Sequence, residues 1–518
     1  MKKRFLAIVL TAVMALALAA PGFAAMLPTA VTTPHALIVD ETDNYTTNDN
    51  LTSNYIIHQN LNNAPKLIKV SHNNGALYGY VNPQAQIVVQ EKYTEIGNFT
   101  PEHLAWAKKN GVGMYVNTQG VEVISVGVAT PHDFSNGLAR IVEHNGNTYF
   151  IDTTGKIVFN LGVEEAGEFD SNGLNWVRSS ITGKYGIINK AGQEIAHFQY
   201  DKLSIVGNKL YYNSGLLRAE RDGKVRFLNT LGQEVFTVDP EGKLNIAYVG
   251  DFANGMCLVK DIYNQVGYID TTGYQAVYCM YEEGWDFSAA GIARIKRNGY
   301  YGYINKINAY AVQPEYVELY APVNGIALAR RYVIINNQYV LKYGYVNVVT
   351  GVEQIAFTYD HARSFSEGLA YVDVYGQYGH LIKGFINELG TVLFYVSYYD
   401  EVGDFHSGLA YAIKNGKYGY ISKAQNGAMV ITARYDVSYL DAAKTIRDYD
   451  HAPYNFEGNL CIGRLSNFDG SSRFSIINQN GIDVYGPTFS DVIYFNPLVD
   501  NIALFQNAGY NNTIITLF

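Results

Sequence analysis

The sequence predicts an all-β chain: a tandem array of about twelve short antiparallel three-stranded units, propeller-like in arrangement, with an open β superhelix as the alternative. Three observations predict it. A run of tyrosine, glycine and β-branched residues recurs along the chain, a second run built on Phe and Gly-Leu-Ala precedes it, and the composition favours strands and tight turns. The 44 Tyr and 49 Gly, with only 16% charged residues, fit β-structure better than long amphipathic helices.

The first run reads "NGKYGYIS" at 415, "NGYYGYIN" at 298, "TGKYGIIN" at 182, "LKYGYVN" at 341 and "ALYGYVN" at 76. Its companion reads "DFHSGLAYAI" at 404, "SFSEGLAYVD" at 364, "DFANGMCLVK" at 251 and "DFSNGLARIV" at 133. The Phe position marks each copy and falls at 99, 134, 169, Tyr212, 252, 287, Pro322, 365, 405, 456 and Leu498. Intervals of 35 residues recur, as from 99 to 134, 134 to 169 and 252 to 287. That is the size of a small supersecondary unit. A partial copy, "NNGALYGYVN" at 73, precedes the first marker.

Within a unit, Phe and Gly-Leu-Ala open a short apolar strand, and "NGK" or "HNGN" makes a hairpin turn. "YGYI" then returns, and "DTTG" or "NKAG" turns the chain into a third strand. A glycine inside a strand, as at Gly186, Gly302, Gly344 and Gly419, marks a bulge or a close backbone approach, here expected from a neighbouring unit's ring. Asp and Asn in the "DTTG" and "NKAG" turns are expected to bond their own backbone, which leaves a calcium cage short of convergent carboxylates.

Together the two runs resemble the WG-repeat (KWG-repeat) family, whose signature combines "F..GLA.V", "G.[WY]GYI[DN]..G" and a following "VI...Y". The resemblance extends from about residue 66 to the end of the sequence. Tyr stands where the family has Trp in the clear copies, and Val112 and Val266 stand there in weaker ones. The resemblance implies interaction or scaffold modules and carries over no catalytic residues.

The start, "MKKRFLAIVLTAVMALALAAPGFAAM", has the basic, apolar and small-residue order of a secretory signal peptide, with cleavage expected after Ala24 or Ala25. The expected division is a signal peptide over 1–25, a lead-in segment over 26–65 and the repeat array over 66–518, with a possible subdivision near 436–455, where "YLDAAKTIRDYDHAPYN" could form a short helix. A secreted or cell-envelope location follows, with no lipobox cysteine and no membrane span once the signal is removed. The net charge of −9, with scattered Lys and Arg, gives no footprint for nucleic acid.

Chemistry-bearing patterns are sparse. The His residues show no metal spacing, and His132-Asp133 and Asp360-His361 read as linker neighbours rather than dyads. Glu164-Glu165 and Glu282-Glu283 are adjacent carboxylates in loops. Cys257 and Cys461 take the Ala place of Gly-Leu-Ala and read as small buried hydrophobes, with a Cys257–Cys279 bridge as the other option. No catalytic, metal or cofactor residue is assigned, and no cofactor is expected. The leading reading is therefore a non-enzymatic binding or scaffold protein with a protein or glycan partner. The alternatives are a carbohydrate-active enzyme on a propeller and a self-associating surface protein.

One position suggests a binding surface. The residue after the Gly-Leu-Ala alanine is Trp106, Arg140, Trp176, Arg218, Arg294, Tyr371 or Tyr411 in seven of the copies. Strand alternation sets it on the face opposite the small residues. Stacked in register, these side chains would form a ladder of rings and guanidinium groups suited to peptides or sugars.

Overall fold

The computed structural model describes residues 37–39, 56–58, 67–72, 77–82, 87–162, 164–376, 379–437, 453–466, 472–496, 502–507 and 512–516. The expected signal peptide and the middle of the expected helix near 436–455 lie outside them. Every regular element among the described residues is a strand. Nine sheets have four strands, one has five, a two-stranded hairpin stands apart, and a final sheet has six. That last sheet merges the Phe456 and Leu498 copies through one long strand, Asp483–Asn496. Twelve units result, as the repeat count implies.

A unit has four strands rather than three. In the Phe99 unit the order is Glu95–Ile96, Leu104–Lys109, Val112–Asn117 and Glu122–Gly127. The extra strand is a two-residue edge that pairs Ile96 with Ala107. Too short to show an apolar alternation, it carries no signal of its own in the sequence. It also joins the units closely, since the preceding sheet's last strand ends at Tyr93 and this one starts at Glu95.

The array begins before residue 66. Ile56–His58 pairs with Ile68–His72 as the edge of the first sheet, and Leu37–Val39 pairs with Asn512–Thr516 in the last one.

The strand glycines meet a different neighbour from the one expected. A Cβ on Gly419 would lie 2.2 Å from the carbonyl oxygen of Ile431, and one on Gly302 would lie 2.6 Å from that of Val312. Both carbonyls belong to the fourth strand of the same unit, not to a neighbour's ring. The register explains the crowding. Tyr418 pairs with Tyr435 but Tyr420 pairs with Ile431, so the fourth strand bulges toward the glycine between them.

Aromatic residues hold consecutive units together. The tyrosine at the second ring position of the repeat lies edge-on to the next unit's marker Phe, as for Tyr115 and Phe134 (centroids 4.8 Å), Tyr268 and Phe287 (5.0 Å) and Tyr420 and Phe456 (4.8 Å). Each such pair adds about 0.5–1.5 kcal/mol beyond the area it buries. The same hydroxyl donates across the junction to the carbonyl two residues before that marker: Tyr80 to Gly97, Tyr115 to His132, Tyr268 to Trp285, Tyr303 to Tyr320, Tyr345 to Arg363 and Tyr420 to Tyr454, at 2.6–2.9 Å. The recurrent Tyr is thus both a core ring and the donor for a backbone carbonyl in the next unit.

Candidate interaction surface

The ladder residues lie on one strand face, as alternation requires, and that face is turned toward the next unit. Ala327 and Ala329 pack with Tyr303 and Tyr316 of the preceding unit, while Leu328 between them packs with Phe365 of the following one. Small residues therefore face backward and large ones forward. Trp176 is 7% exposed, sits in a cluster with Tyr200 and Leu217, and donates from Nε1 to the Asn208 carbonyl at 3.0 Å. Trp106 packs on the Phe134 cluster, Tyr371 is buried beside Val402 and Phe405, and Tyr411 lies on the Phe456 cluster.

The arginines of the ladder are engaged in a similar way. Arg140 donates to the Ala166 carbonyl at 2.6 Å and Arg294 to that of Leu319 at 2.8 Å, each in the following unit. Arg218 binds Glu220 at 2.6 Å. Arg294 also lies over the Trp285 ring at 3.9 Å. The expected open ladder is corrected, because both faces of a strand are covered when sheets stack: six of these side chains reach the following unit, and Arg218 pairs within its own strand.

The positions opposite the ladder adapt to it. Gly97, Gly167 and Gly403 stand where a Cβ would fall 2.0–2.3 Å from Trp106, Trp176 and Tyr411. Arg363 occupies the same place in its unit and lies over the Tyr371 ring at 4.7 Å, the reverse of the Trp285–Arg294 arrangement.

The cysteines are all free, so no Cys257–Cys279 bridge is present. Two of them do more than replace alanine. Phe227 stands where other units have the donor tyrosine, and the Cys257 thiol donates instead to the Gly250 carbonyl at 3.3 Å. At the Phe150 junction, which also lacks a hydroxyl, Asn175 takes the alanine place and its Nδ2 reaches the Gly167 carbonyl at 3.0 Å. Cys461 lies 3.0 Å from the Tyr420 hydroxyl and donates toward the same Tyr454 carbonyl. Burial pushes the Cys257 and Cys461 thiols up to about 12.

The remaining candidates serve turns and ion pairs. Asp152 Oδ1 accepts from the amides of Thr154 and Lys156, and Asp270 does the same for Thr272 and Tyr274. Glu165 pairs with Arg178, Glu282 accepts the Gly299 amide, and Glu283 binds Lys296 at 2.7 Å. Asp360 binds Lys342 at 2.6 Å, and His361 lies 2.9 Å from Asp373. Burial holds His132 down to about 4 and pushes Asp133 up to about 6, aided by the charge of Glu168. Among the described residues no group of three or more His, Cys, Asp or Glu side chains could hold a metal.

Exposed apolar groups lie at both ends of the sheets, and one set falls at the hairpins joining the second and third strands. Four consecutive units contribute: Ile262 and Tyr263, then Tyr300, then the long hairpin of the Pro322 unit, then Tyr375 and Ile382. The long hairpin pairs Ile326–Ile335 with Gln338–Asn347. Its tip exposes Tyr332, Ile334 (65%), Ile335 and Tyr339 (76%). The corresponding turns at Lys109-Asn110-Gly111 and Lys414-Asn415-Gly416-Lys417 are polar, while that of the Phe169 unit exposes Ile181. The sequence offered one signal for this feature, an interval of 43 residues after Pro322 that holds the run "RYVIINNQYVL".

Comparison with known proteins agrees with the repeat. The profile of the "WG containing repeat" matches residues 78–112, 150–179, 185–224, 267–301, 301–331, 343–378 and 384–418. No curated protein sequence matches the chain. Similar solved structures include BamB from Moraxella catarrhalis, at 11% identity and a TM-score of 0.22, covering 51% of this chain and 91% of that one. A virginiamycin B lyase from Staphylococcus aureus, in complex with quinupristin, matches at 11% identity and a TM-score of 0.23, covering 49% of this chain and 92% of that one. The computationally designed Ika8 protein matches at 12% identity and a TM-score of 0.24, covering 51% and 89%. Likeness of that degree says nothing about function.

Proposed function

The chain belongs to the WG-repeat family, and from that premise we infer an exported, non-enzymatic binding or scaffold protein that holds a protein partner along the apolar hairpin edge of the units from Phe252 to Phe365. The observation that carries this reading is the run of exposed Tyr and Ile side chains over four consecutive units. Exposed apolar groups recurring in neighbouring units are costly to leave in water and commonly mark an interaction site. The repeat supplies the framework, since aromatic and hydrogen-bonded contacts close most of the junctions between units. The basic and apolar start of the sequence supports export to the envelope or beyond. A glycan partner is a second reading, favoured by the exposed rings of Tyr263, Tyr300, Tyr339 and Tyr375, because flat aromatic faces suit sugars.

Binding of the purified chain to secreted proteins and to envelope glycans tests the reading, compared between wild type and a Tyr263→Ser, Tyr339→Ser, Tyr375→Ser variant. Loss of binding with unchanged melting supports the hairpin edge. Full binding by the variant refutes it, and turnover of any bound substrate refutes the non-enzymatic role.

A further inference from the structure

The tip of the long hairpin runs well beyond the rest of its sheet. Its two strands pair only with each other from Arg331–Lys342 outward, because the edge strand Glu318–Leu319 stops at Arg330 and the fourth strand joins no earlier than Tyr343. Both edges of the tip are therefore open. Natural sheets shield open edges with charge, proline or a bulge. From Tyr332 to Leu341 there is no charged residue, no proline, no glycine and no register shift. The cations at its base are already paired, Arg331 with Glu315 and Glu353 and Lys342 with Asp360.

The tip is also held in place. Val333 packs on the cluster of Tyr316 and Phe357, which fixes one face, while Tyr332, Ile334 and Tyr339 stay exposed on the other. Asn336 and Asn337 both have positive φ (52° and 62°), the two-residue turn that sets the register of a hairpin. With that turn, Ile335 and Gln338 form a bonded pair, and the bonding alternates down the strands. The amide and carbonyl of Tyr332 and Ile334 therefore point outward, away from the hairpin.

We propose that this edge is a self-association site, in which Tyr332–Ile335 pairs antiparallel with the same strand of a second copy of the chain about a twofold axis at Val333. Parity makes the strand self-complementary. With the axis at Val333, Tyr332 falls opposite Ile334 of the second copy, so outward groups meet outward groups and four backbone hydrogen bonds form. The same pairing sets a tyrosine ring against an isoleucine on the exposed face, a favourable cross-strand combination. An uncharged strand is also where two chains of net charge −9 meet at least electrostatic cost. The proposal rests on the hairpin edge being an interaction surface and names its occupant.

The contact is small, so a dissociation constant on the order of 10 µM is expected, at the weak end for protein pairs. Sedimentation velocity over a concentration series should show a monomer–dimer equilibrium, weakened more than about tenfold by Tyr332→Lys and by Ile334→Pro. The lysine adds like charge at the contact, and the proline removes one outward amide while sparing the hairpin's own bonds. Under mild oxidation Val333→Cys should form a disulfide-linked dimer and Ile335→Cys should not, with native chain as the control for Cys257, Cys279 and Cys461. A wild type that stays monomeric to about 200 µM overturns the proposal, as does a dimer indifferent to both substitutions. A monomer that still binds an envelope partner through Tyr263, Tyr339 and Tyr375 overturns the self-pairing alone and leaves the function reading standing.

Discussion

Replacing Asn175 by alanine should loosen the junction between the Phe134 and Phe169 units, and adding Phe150→Tyr should restore it. Asn175 is fully buried and supplies the donor found for the Gly167 carbonyl, while its own Oδ1 has no partner. Leaving that carbonyl without a donor costs about 1–3 kcal/mol, and losing the unpartnered Oδ1 offsets part of it, so Asn175→Ala alone should destabilise by about 1 kcal/mol. The double variant recreates the arrangement of Tyr115 and Ala139, whose hydroxyl reaches its carbonyl at 2.6 Å. It should therefore be at least as stable as the wild type, with a coupling energy of about 1–2 kcal/mol between the two sites. Hydrogen exchange resolved by peptide can read this locally, following the strands Thr148–Asp152 and Leu174–Arg178 with Ile292–Arg297 as an internal reference. Strictly additive effects of the two substitutions, or no loss of protection in Asn175→Ala, would refute the carbonyl argument.

Three further outcomes are expected. Gly419→Val should cost about 3 kcal/mol or more, since its Cβ would meet a backbone carbonyl that cannot move without shifting a strand; limited proteolysis should cut near the Phe405 and Phe456 units before the Phe134 unit, and uniform cleavage would contradict nearest-neighbour stacking. Cys257 and Cys461, with thiols held at about 12 by burial, should resist alkylation at pH 8 until the chain is denatured, and prompt labelling of either would show that its packing is misread. At His132 the folded pKa of about 4 lies below its ordinary 6.5, so its contribution to stability is lost as pH falls through that window; at Asp133 the folded value of about 6 lies above 3.8, so its contribution is lost as pH rises through that window. Asp133→Asn should remove the second effect, and its melting temperature relative to wild type should rise between pH 4 and 6. An unchanged pH profile would count against the buried placement.

The repeat and the unit count were legible because they rest on large residues at fixed spacing: the marker Phe, the Tyr-Gly-Tyr run and the turn-forming Asp and Asn. The edge strand at Glu95–Ile96 was not, since two residues have no period to detect. The ladder was misread for a physical reason. Alternation sorts Trp176 and Val177 onto opposite faces but cannot say which face meets water, and in a stacked array both are covered. The thiol and amide donors at Cys257 and Asn175 left a faint trace, each standing in a unit that follows a Phe in place of Tyr. Phe385 followed by Ala410 has neither substitute, which blurs the rule. The long hairpin needed only its extra length and uncharged run to be weighed together.

Every junction hydroxyl points the same way along the chain, from one unit to the carbonyl of its successor. The array therefore has polarity. One side of a typical unit offers a donor ring and large side chains, the other a carbonyl and small residues such as Ala327 and Ala329, and the two fit only head to tail. An additional copy inserted between two units joined by the common Tyr and Ala pair would meet a compatible surface on each side. Lengthening by tandem duplication should thus be tolerated at any boundary with the common Tyr and Ala pair, and resisted at those following Phe150 and Phe227, where the donor has moved to the other partner.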